Sequence, residues 1–384
     1  MTKGFVHPDF GAVAGVFDRV LASQRLGGAS LCVYHRGEKV VDVWGGDRNA
    51  AGDPWEADTV VCSFSTTKGV ASTAVHVLAD RGLVDYDAPV ARYWPEFAAK
   101  GKGAITVRQV MSHEAGLHGI RSLIDHSSRM LDWEHMVAAL ADAEPAFEPG
   151  SANAYHGITY GWLAGEIVRR VSGKSIGAFV QTEIAEPLGV DGLFIGVPEA
   201  MRGRLARLMR WPRLLAWNAT AAAGMWFRPT RDLIEALLPA ELHPAIWDDE
   251  TLAAEIPGAA GVFDARSLAR MYAAISCGGS IDSTYLVSPS TVRAMGSVQN
   301  RRLDRVLLVP IVWRLGYHTI FTTAGVSRGG FGHYGYLGSG GWCDPSRELA
   351  FAYVTNRTTT VDYTPVARMG GAAIRAADRR SRHV

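Results

Sequence analysis

The chain has few lysines, few cysteines and no long apolar segment, and each shortage excludes a class of protein. Its 384 residues include only 6 lysines beside 33 arginines, with a formal net charge of +1, so charge does not favour binding to nucleic acid or an anionic membrane. The 4 cysteines lack C-x-x-C spacing, which favours buried free thiols in a reducing compartment. No stretch is apolar for the ~20 residues of a membrane span, and the first residues lack a secretory apolar core. These shortages predict a soluble cytoplasmic protein and favour no particular oligomeric state.

Strand patterns lie near both ends of the chain, and helical patterns fill the middle. The segments with strand patterns are 29–35, 39–44, 306–312, 332–342 and 349–355. The clearest helical patterns are 11–26, 66–80, 161–171, 267–275 and 366–377. This order predicts an α/β protein of the α+β type, with an antiparallel sheet flanked by helices. We expect residues 1–85 and 294–384 to form the sheet domain, and residues 86–293 to form a mainly helical inserted domain.

The segment that begins with Ser65 and ends with Lys68 is the first candidate for chemistry. It lies where an apolar run gives way to the helical pattern of 66–80. If Ser65 opens the helix, Lys68 lies one turn later on the same face, where a desolvated amine can take the proton of the hydroxyl. Backbone N–H groups at the helix start suit a developing oxyanion. Taken alone, the segment is explained about equally well by a serine cap and a solvated lysine.

Two further segments carry groups that suit the same chemistry. Tyr155 lies in a turn-rich loop before the helix of 161–171, and a tyrosine beside a lysine cation can have its pKa lowered enough to act as a base. A tyrosine packed in a helix-entry loop is the alternative. The glycine-rich segment 329–342 contains His333 and Gly335, and glycines let a strand approach a substrate closely. A bulge or hairpin without a ligand is the alternative there.

Three other patterns resemble functional motifs less well. The segment 173–177 reads G-x-S-x-G, but a helical pattern precedes Ser175 where a nucleophile elbow needs a strand. His113 and His118 are five apart and fall on different helix faces, so no zinc site is expected. The segment 201–217 has an arginine at about every third position and is either a lid or lipid-facing patch, or a solvated face with its apolar side packed on the body. No motif calls for a metal or an organic cofactor.

In their order and spacing, the three candidate segments resemble the serine β-lactamases of class C, the DD-peptidases and, above all, the family VIII carboxylesterases. Those proteins carry S-x-x-K, a mid-chain catalytic tyrosine and a late K-T-G. The esterase branch commonly has H-x-G or W-x-G in the last position, and this chain has His333-Tyr334-Gly335. The resemblance runs from about residue 4 to residue 357. It implies the β-lactamase/DD-peptidase fold.

The resemblance also implies a role for each matching residue. Ser65 would be the acyl-accepting nucleophile, Lys68 its activating partner and Tyr155 the proton shuttle. The oxyanion hole would be formed by the backbone N–H groups of Ser65 and of Tyr336, which follows Gly335. We therefore expect Ser65, Lys68 and Tyr155 to meet in one cleft.

Two departures from the β-lactamase pattern favour ester substrates. Class C enzymes read Tyr-x-Asn, whereas this chain has Gly157 at the third position and so lacks the amide. His333 stands where the lysine would be, and a mostly neutral imidazole attracts the carboxylate of a penicillin more weakly. The pocket should favour uncharged substrates, with Tyr336 and Trp342 as apolar walls.

We therefore expect a serine carboxylesterase that hydrolyses short-chain or small hydrophobic esters through an acyl-enzyme on Ser65. Its partner would be a small-molecule ester. Lactamase, peptidase or acyltransferase activity would use the same residues and stays open. A ligand sensor or scaffold with this fold is the non-enzymatic alternative, against which the intact Ser65, Lys68 and Tyr155 count.

Overall fold

The computed structural model describes residues 2–23, 27–209, 224–241, 247–357 and 362–382. Its strands are β1 Lys3–Val6, β2 Gly28–His35, β3 Glu38–Gly46, β4 Val60–Cys62, β5 Leu193–Ile195, β6 Leu205–Ala206, β7 Gly261–Phe263, β8 Ser280–Ile281, β9 Thr284–Tyr285, β10 Val298–Asn300, β11 Trp313–Arg314, β12 His318–Thr322, β13 Gly325–Tyr334, β14 Gly340–Asp344 and β15 Leu349–Thr355. Its α-helices are α1 Gly11–Ala22, α2 Thr67–Asp80, α3 Val107–Met111, α4 Ile120–Leu123, α5 Trp133–Asp142, α6 Tyr160–Ser172, α7 Ile176–Val180, α8 Arg228–Leu237, α9 Asp249–Ala253, α10 Ala265–Ser276, α11 Pro289–Met295 and α12 Thr364–Arg380.

Nine of these strands form one antiparallel sheet in the order β1-β3-β2-β15-β14-β13-β12-β11-β10. The two ends of the chain meet at its centre, where β2 pairs with β15 and Ala29 lies opposite Thr355. The predicted antiparallel sheet flanked by helices is therefore confirmed, with strands supplied by both ends of the chain.

Helices cover both faces of this sheet. The helices α1 and α12 pack on one face, where Phe17 is buried, and α2 and α10 pack on the other, where Leu268 is buried. Along β2, Leu31 belongs to the first core and Cys32 to the second. A strand buried on both sides carries apolar residues at successive positions, which explains the uninterrupted apolar runs of β2 and β15.

A second sheet, in the order β5-β7-β4-β6, joins the helical region to the chain just before Ser65. The strand β4 pairs parallel with β6 and antiparallel with β7. The helix α10 packs against the large sheet although it lies in the segment 86–293. The strand β4 and the helix α10 thus connect the two predicted parts. The division into a sheet domain and an inserted domain stays a prediction.

Two of the predicted late strands are wrong. The segment 332–342 contains the end of β13, a 3-10 turn over Tyr336–Gly338 and the start of β14, so it is the bend of a hairpin. The apolar run 306–312 is not a strand, because the carboxylate of Asp304 accepts the backbone N–H groups of its first two residues, which a ladder would otherwise use. The other predicted elements lie within four residues of their observed bounds.

The arginine-rich segment 201–217 is described only as far as residue 209. Arg204 pairs with Asp191 at 3.1 Å, and Arg207 pairs with Asp249. The apolar residues of β6 between these arginines are buried. The described part thus favours the solvated face; the rest of the segment lies outside the described residues. No helix in the described ranges is long and apolar enough to cross a membrane.

The fold is expected to lose stability as the pH falls below about 6.5. Burial lowers the pKa of His35 and His76 to about 4, and that of His156 to about 3. The unfolded chain takes up these protons near pH 6.5 and the folded chain does not, so each ring costs about 1.4 kcal/mol per pH unit between the two pKa values. Asp264, whose pKa burial raises to about 6, and Glu255, whose pKa burial also raises, act oppositely. They are outnumbered, because burial also lowers the pKa of His113, His318 and His333. Urea unfolding between about pH 7 and pH 5 measures this, and a flat unfolding free energy would contradict it.

Candidate active site

Ser65 lies in a tight turn between β4 and α2. Phe64, directly before it, has a φ of 49°, which an L residue rarely adopts and which reverses the chain direction sharply. The N–H of Thr67 donates to the carbonyl of Phe64 at 2.9 Å, and the N–H of Lys68 donates to that of Ser65 at 3.1 Å. Ser65 therefore precedes α2 rather than opening it, but Lys68 still lies one turn below its hydroxyl.

The amine of Lys68 is buried and meets three oxygen atoms. Its Nζ lies 3.0 Å from the Oγ of Ser65 and 2.6 Å from each of the carbonyl oxygens of Gly157 and Gly258. Burial lowers the pKa of Lys68 well below its usual value, which favours the neutral amine. A neutral amine has two N–H groups for the two carbonyls, and its lone pair then faces the Ser65 hydroxyl. This is the arrangement of a base held against the group that it deprotonates.

Tyr155 meets the same hydroxyl, and its OH donates to the Oγ of Ser65 at 2.7 Å. The Nζ of Lys68 lies over the tyrosine ring, 4.8 Å from its centroid. Burial is the main cause that raises the pKa of Tyr155. The expectation that the lysine would lower the pKa of the tyrosine until it acted as a base is therefore wrong in direction. The phenol is neutral and placed to donate a proton.

His333 lies beside this cluster, with its ring centroid 6.0 Å from that of Tyr155. Its Nδ1 lies 2.7 Å from the carbonyl oxygen of Tyr334, so the ring proton on Nδ1 donates there. Its Nε2 is then an acceptor, buried and without a hydrogen-bond partner among the residues that the structure describes. Burial first, and then His318 and Lys68, lower the pKa of His333 well below its usual value, so the ring is neutral.

Gly335 brings the chain after β13 against the turn that carries Ser65. A Cβ at this position would lie 2.2 Å from the carbonyl oxygen of Ser63 and 2.8 Å from the Oγ1 of Thr66, so only glycine fits. The 3-10 turn that begins at Tyr336 continues directly from this contact. The H-x-G segment and the Ser65 turn are therefore neighbours, as expected.

Trp342 does not reach this site. It lies opposite Gly332 in the β13–β14 pair, whereas His333 lies opposite Gly341, and alternate positions of a strand point to opposite faces. The ring of Trp342 stacks on that of Phe351, with centroids 5.1 Å apart, in the core beneath α1 and α12. The prediction of Trp342 as a pocket wall is therefore wrong, because it lies on the far face of the sheet.

The helix α8 covers the loop that carries Tyr155. A Cβ at Gly157 would lie 2.3 Å from the Cδ2 of Leu237 and 2.9 Å from the carbonyl oxygen of Ala236. The space that an asparagine side chain at this position would enter is therefore occupied by α8. Nothing in the sequence pattern linked these segments, because they lie far apart along the chain.

Two more neighbours of Tyr155 had no signal in the sequence. The ring of Trp313 stacks on that of Tyr155, with centroids 5.5 Å apart and an interplanar angle of 10°. The carboxylate of Asp304, which is fully buried, accepts the backbone N–H of Tyr155 at 3.1 Å. Asp304 lies two positions before the run 306–312, and Trp313 directly follows it. This is the run that the pattern wrongly assigned to a strand.

The structure combines an antiparallel sheet between two layers of helices with a half-buried serine that contacts a buried lysine and a buried tyrosine. This is the arrangement of an enzyme with an active-site serine. The model of the β-lactamase family matches residues 13–375. The chain therefore belongs to the β-lactamase family, and the predicted β-lactamase/DD-peptidase-like fold is confirmed.

Individual relatives show which members of this family the chain resembles. The chain is 42% identical to the esterase/beta-lactamase LipL of Mycobacterium tuberculosis over 361 residues, which cover 92% of this chain and 82% of LipL. The crystal structure of a family VIII carboxylesterase superposes with a TM-score of 0.88 at 35% identity, covering 98% of this chain and 100% of that one. A penicillin-binding protein homologue from Caulobacter crescentus superposes with a TM-score of 0.86 at 34% identity, with the same coverage. The resemblance to family VIII carboxylesterases is thus confirmed.

Proposed function

We propose that the chain is a serine carboxylesterase that hydrolyses short-chain or small hydrophobic esters through an acyl-enzyme on Ser65. The observation that carries the proposal is the position of the Ser65 Oγ, 3.0 Å from the amine of Lys68 and 2.7 Å from the hydroxyl of Tyr155. The similarity to esterases over nearly the whole chain supports ester substrates.

Acylation begins when the Ser65 Oγ attacks the ester carbonyl and its proton passes to the neutral amine of Lys68. The backbone N–H groups of Ser65 and Tyr336 would stabilise the oxyanion. The tetrahedral intermediate then collapses and the C–O bond to the alcohol breaks. The departing alkoxide takes the hydroxyl proton of Tyr155, which recovers one from the lysine ammonium.

Deacylation repeats these steps with water as the nucleophile. Water attacks the acyl carbonyl and gives its proton to Lys68. The bond between the carbonyl carbon and the Ser65 Oγ then breaks, and the serine oxygen regains a proton from Tyr155 or Lys68. The products are the free acid and the starting enzyme. Every proton is thus carried by groups that contact the Ser65 hydroxyl.

Esters are expected to be hydrolysed much faster than β-lactams. The helix α8 leaves no room at Gly157 for a side-chain amide that would bind the lactam amide. The neutral ring of His333 presents an acceptor and not a cation to the carboxylate of a penicillin or cephalosporin. Losing one neutral and one charge-assisted hydrogen bond predicts a difference of roughly 10²- to 10³-fold in kcat/KM.

Nitrophenyl esters of increasing chain length, measured beside a chromogenic cephalosporin, test this preference. The Ser65→Ala variant gives the background for both substrates. A cephalosporin turned over as well as a butyrate ester would make the chain a lactamase or peptidase instead. Adding a nucleophilic alcohol and measuring the ratio of acid to new ester separates hydrolysis from acyl transfer.

The location of the protein also stays a proposal. All four cysteines are free, and Cys32, Cys62 and Cys343 are buried. Free thiols persist in reducing compartments, which supports the predicted cytoplasmic location.

A further inference from the structure

The structure assigns to Asp304 the role of a positioning residue that holds Tyr155 against the Ser65 hydroxyl. The inference rests on the proposed function, because the position of Tyr155 matters only if Ser65 is acylated. No motif in the chain pointed to Asp304, which lies 149 positions beyond Tyr155.

The carboxylate of Asp304 is fully buried and accepts five hydrogen bonds. The donors to its Oδ1 are the backbone N–H groups of Tyr155 at 3.1 Å, Val306 at 2.9 Å and Leu307 at 3.0 Å, and the donors to its Oδ2 are the Nδ2 of Asn153 and the Nε1 of Trp313, both at 3.0 Å. All five donors are neutral N–H groups. The neighbouring Arg305 pairs with Asp232 instead.

A buried carboxylate is costly unless its oxygen atoms are satisfied, and here neutral dipoles do this in place of a cation. The same carboxylate holds Tyr155 in two ways. Its Oδ1 binds the tyrosine backbone directly, and its Oδ2 binds the indole of Trp313, whose ring stacks on the tyrosine ring. The backbone and the ring plane of Tyr155 are therefore set by one side chain.

The charge of Asp304 acts in the same direction as its geometry. The ionisable side chains that face Tyr155 are Lys68, His113, Tyr160, His333, Tyr363 and Asp304. Burial lowers the pKa of Lys68, His113 and His333, which favours the neutral form of each. Burial is the first cause of the raised pKa of Tyr155, and the hydrogen bond with Ser65 opposes it. Tyr363 and then the negative charge of Asp304 raise the pKa further by disfavouring the phenolate.

The test is Asp304→Asn, which removes the charge and turns one acceptor oxygen into an NH2 group that faces two donors. We expect kcat for a nitrophenyl ester to fall by roughly 10- to 10²-fold, a part of what acid–base catalysis contributes, while KM changes little. The rate of fluorophosphonate labelling at Ser65 should fall in parallel.

The control is Glu166→Gln. Glu166 is also a fully buried carboxylate and accepts from the Nε1 of Trp133 and from Arg169 and Arg170, but it does not contact Tyr155 or Ser65. This variant should lower the melting temperature and leave kcat, KM and the labelling rate unchanged. An equal loss of kcat in both variants would overturn the role of Asp304, since any buried carboxylate would then have the same effect.

A folded Asp304→Asn enzyme with the wild-type kcat and labelling rate would also overturn the inference. If circular dichroism shows that this variant does not fold, Asn153→Ala decides the question, because it removes one donor to Oδ2 and keeps the charge. We expect a smaller fall in kcat, of about 3- to 10-fold, at unchanged KM; no fall would overturn the inference. A wild-type enzyme that neither hydrolyses esters nor takes the label would instead overturn the proposed function, and this inference with it.

Discussion

Ester turnover by the Ser65→Ala variant is expected to fall by roughly 10³-fold or more, with the chain still folded. The hydroxyl contacts Lys68 and Tyr155, whereas the turn itself is held by backbone hydrogen bonds that the change leaves in place. The measurements are kcat/KM on a nitrophenyl ester, covalent labelling by a fluorophosphonate, and circular dichroism. Labelling should be lost together with turnover.

The chain provides a matched control in Ser175, the serine of its G-x-S-x-G segment. The side chain of Ser175 caps α7, accepting the N–H of Ala178 at 3.3 Å and donating to Glu255 at 2.6 Å. Ser175→Ala should therefore cost about 1 kcal/mol of stability, as loss of a helix cap does, and retain turnover and labelling. The nucleophile would have to be reassigned if Ser65→Ala were still labelled, or if Ser175→Ala were not.

The Lys68→Met variant is expected to be nearly as inactive as Ser65→Ala. Methionine keeps roughly the length of the side chain, but its thioether is not basic enough to take the Ser65 proton. Groups that act as one unit also give non-additive losses. The double variant Ser65→Ala/Lys68→Met should therefore be little worse than either single variant. Single-turnover acylation of the enzyme by a nitrophenyl ester measures the affected step directly.

Lys102 is the matched control for this second prediction. Its Nζ is also buried, and it donates to the carbonyl oxygens of Ala99, Ala141 and Ala143 at 2.9, 2.8 and 2.5 Å. It is therefore a second lysine that binds backbone carbonyls, but one with no serine beside it. Lys102→Met should lower stability and leave kcat unchanged. If Lys68→Met kept most of the wild-type rate, the lysine would be structural and the proposed proton transfer wrong.

The contact between Ser65 and Lys68 could be predicted because it is local. Three positions along a helix make one turn, so the spacing alone places the amine below the hydroxyl. Hydrophobic periodicity predicted the strands β2 and β15 and five of the twelve described α-helices, namely α1, α2, α6, α10 and α12, because it can be counted along consecutive residues. Tyr155, which lies 90 positions from Ser65, was reached only through the order of motifs shared with a known family.

Which residues surround the site, and which face of the sheet each of them lies on, could be learned only from the tertiary structure. Trp342 was expected in the pocket as an apolar residue of the glycine-rich segment, but the pairing of β13 with β14 places it on the face of the sheet opposite to His333. The run 306–312 has the composition of a strand, yet the side chain of Asp304 takes its first N–H groups. The strand propensity of this run is outweighed by the hydrogen bonds to Asp304, which lies outside the run and so does not appear in its composition.

The sequence by itself determined which groups can react: a hydroxyl and an amine one helical turn apart, and a glycine segment able to approach them. The tertiary structure alone decided what surrounds them. It buries Lys68 and so lowers the pKa of the amine, and it raises the pKa of Tyr155 by burial. It also fills the space beside Gly157 with α8. The physical reason is that burial and close contact depend on segments far apart in the chain, whereas residue spacing depends only on neighbours.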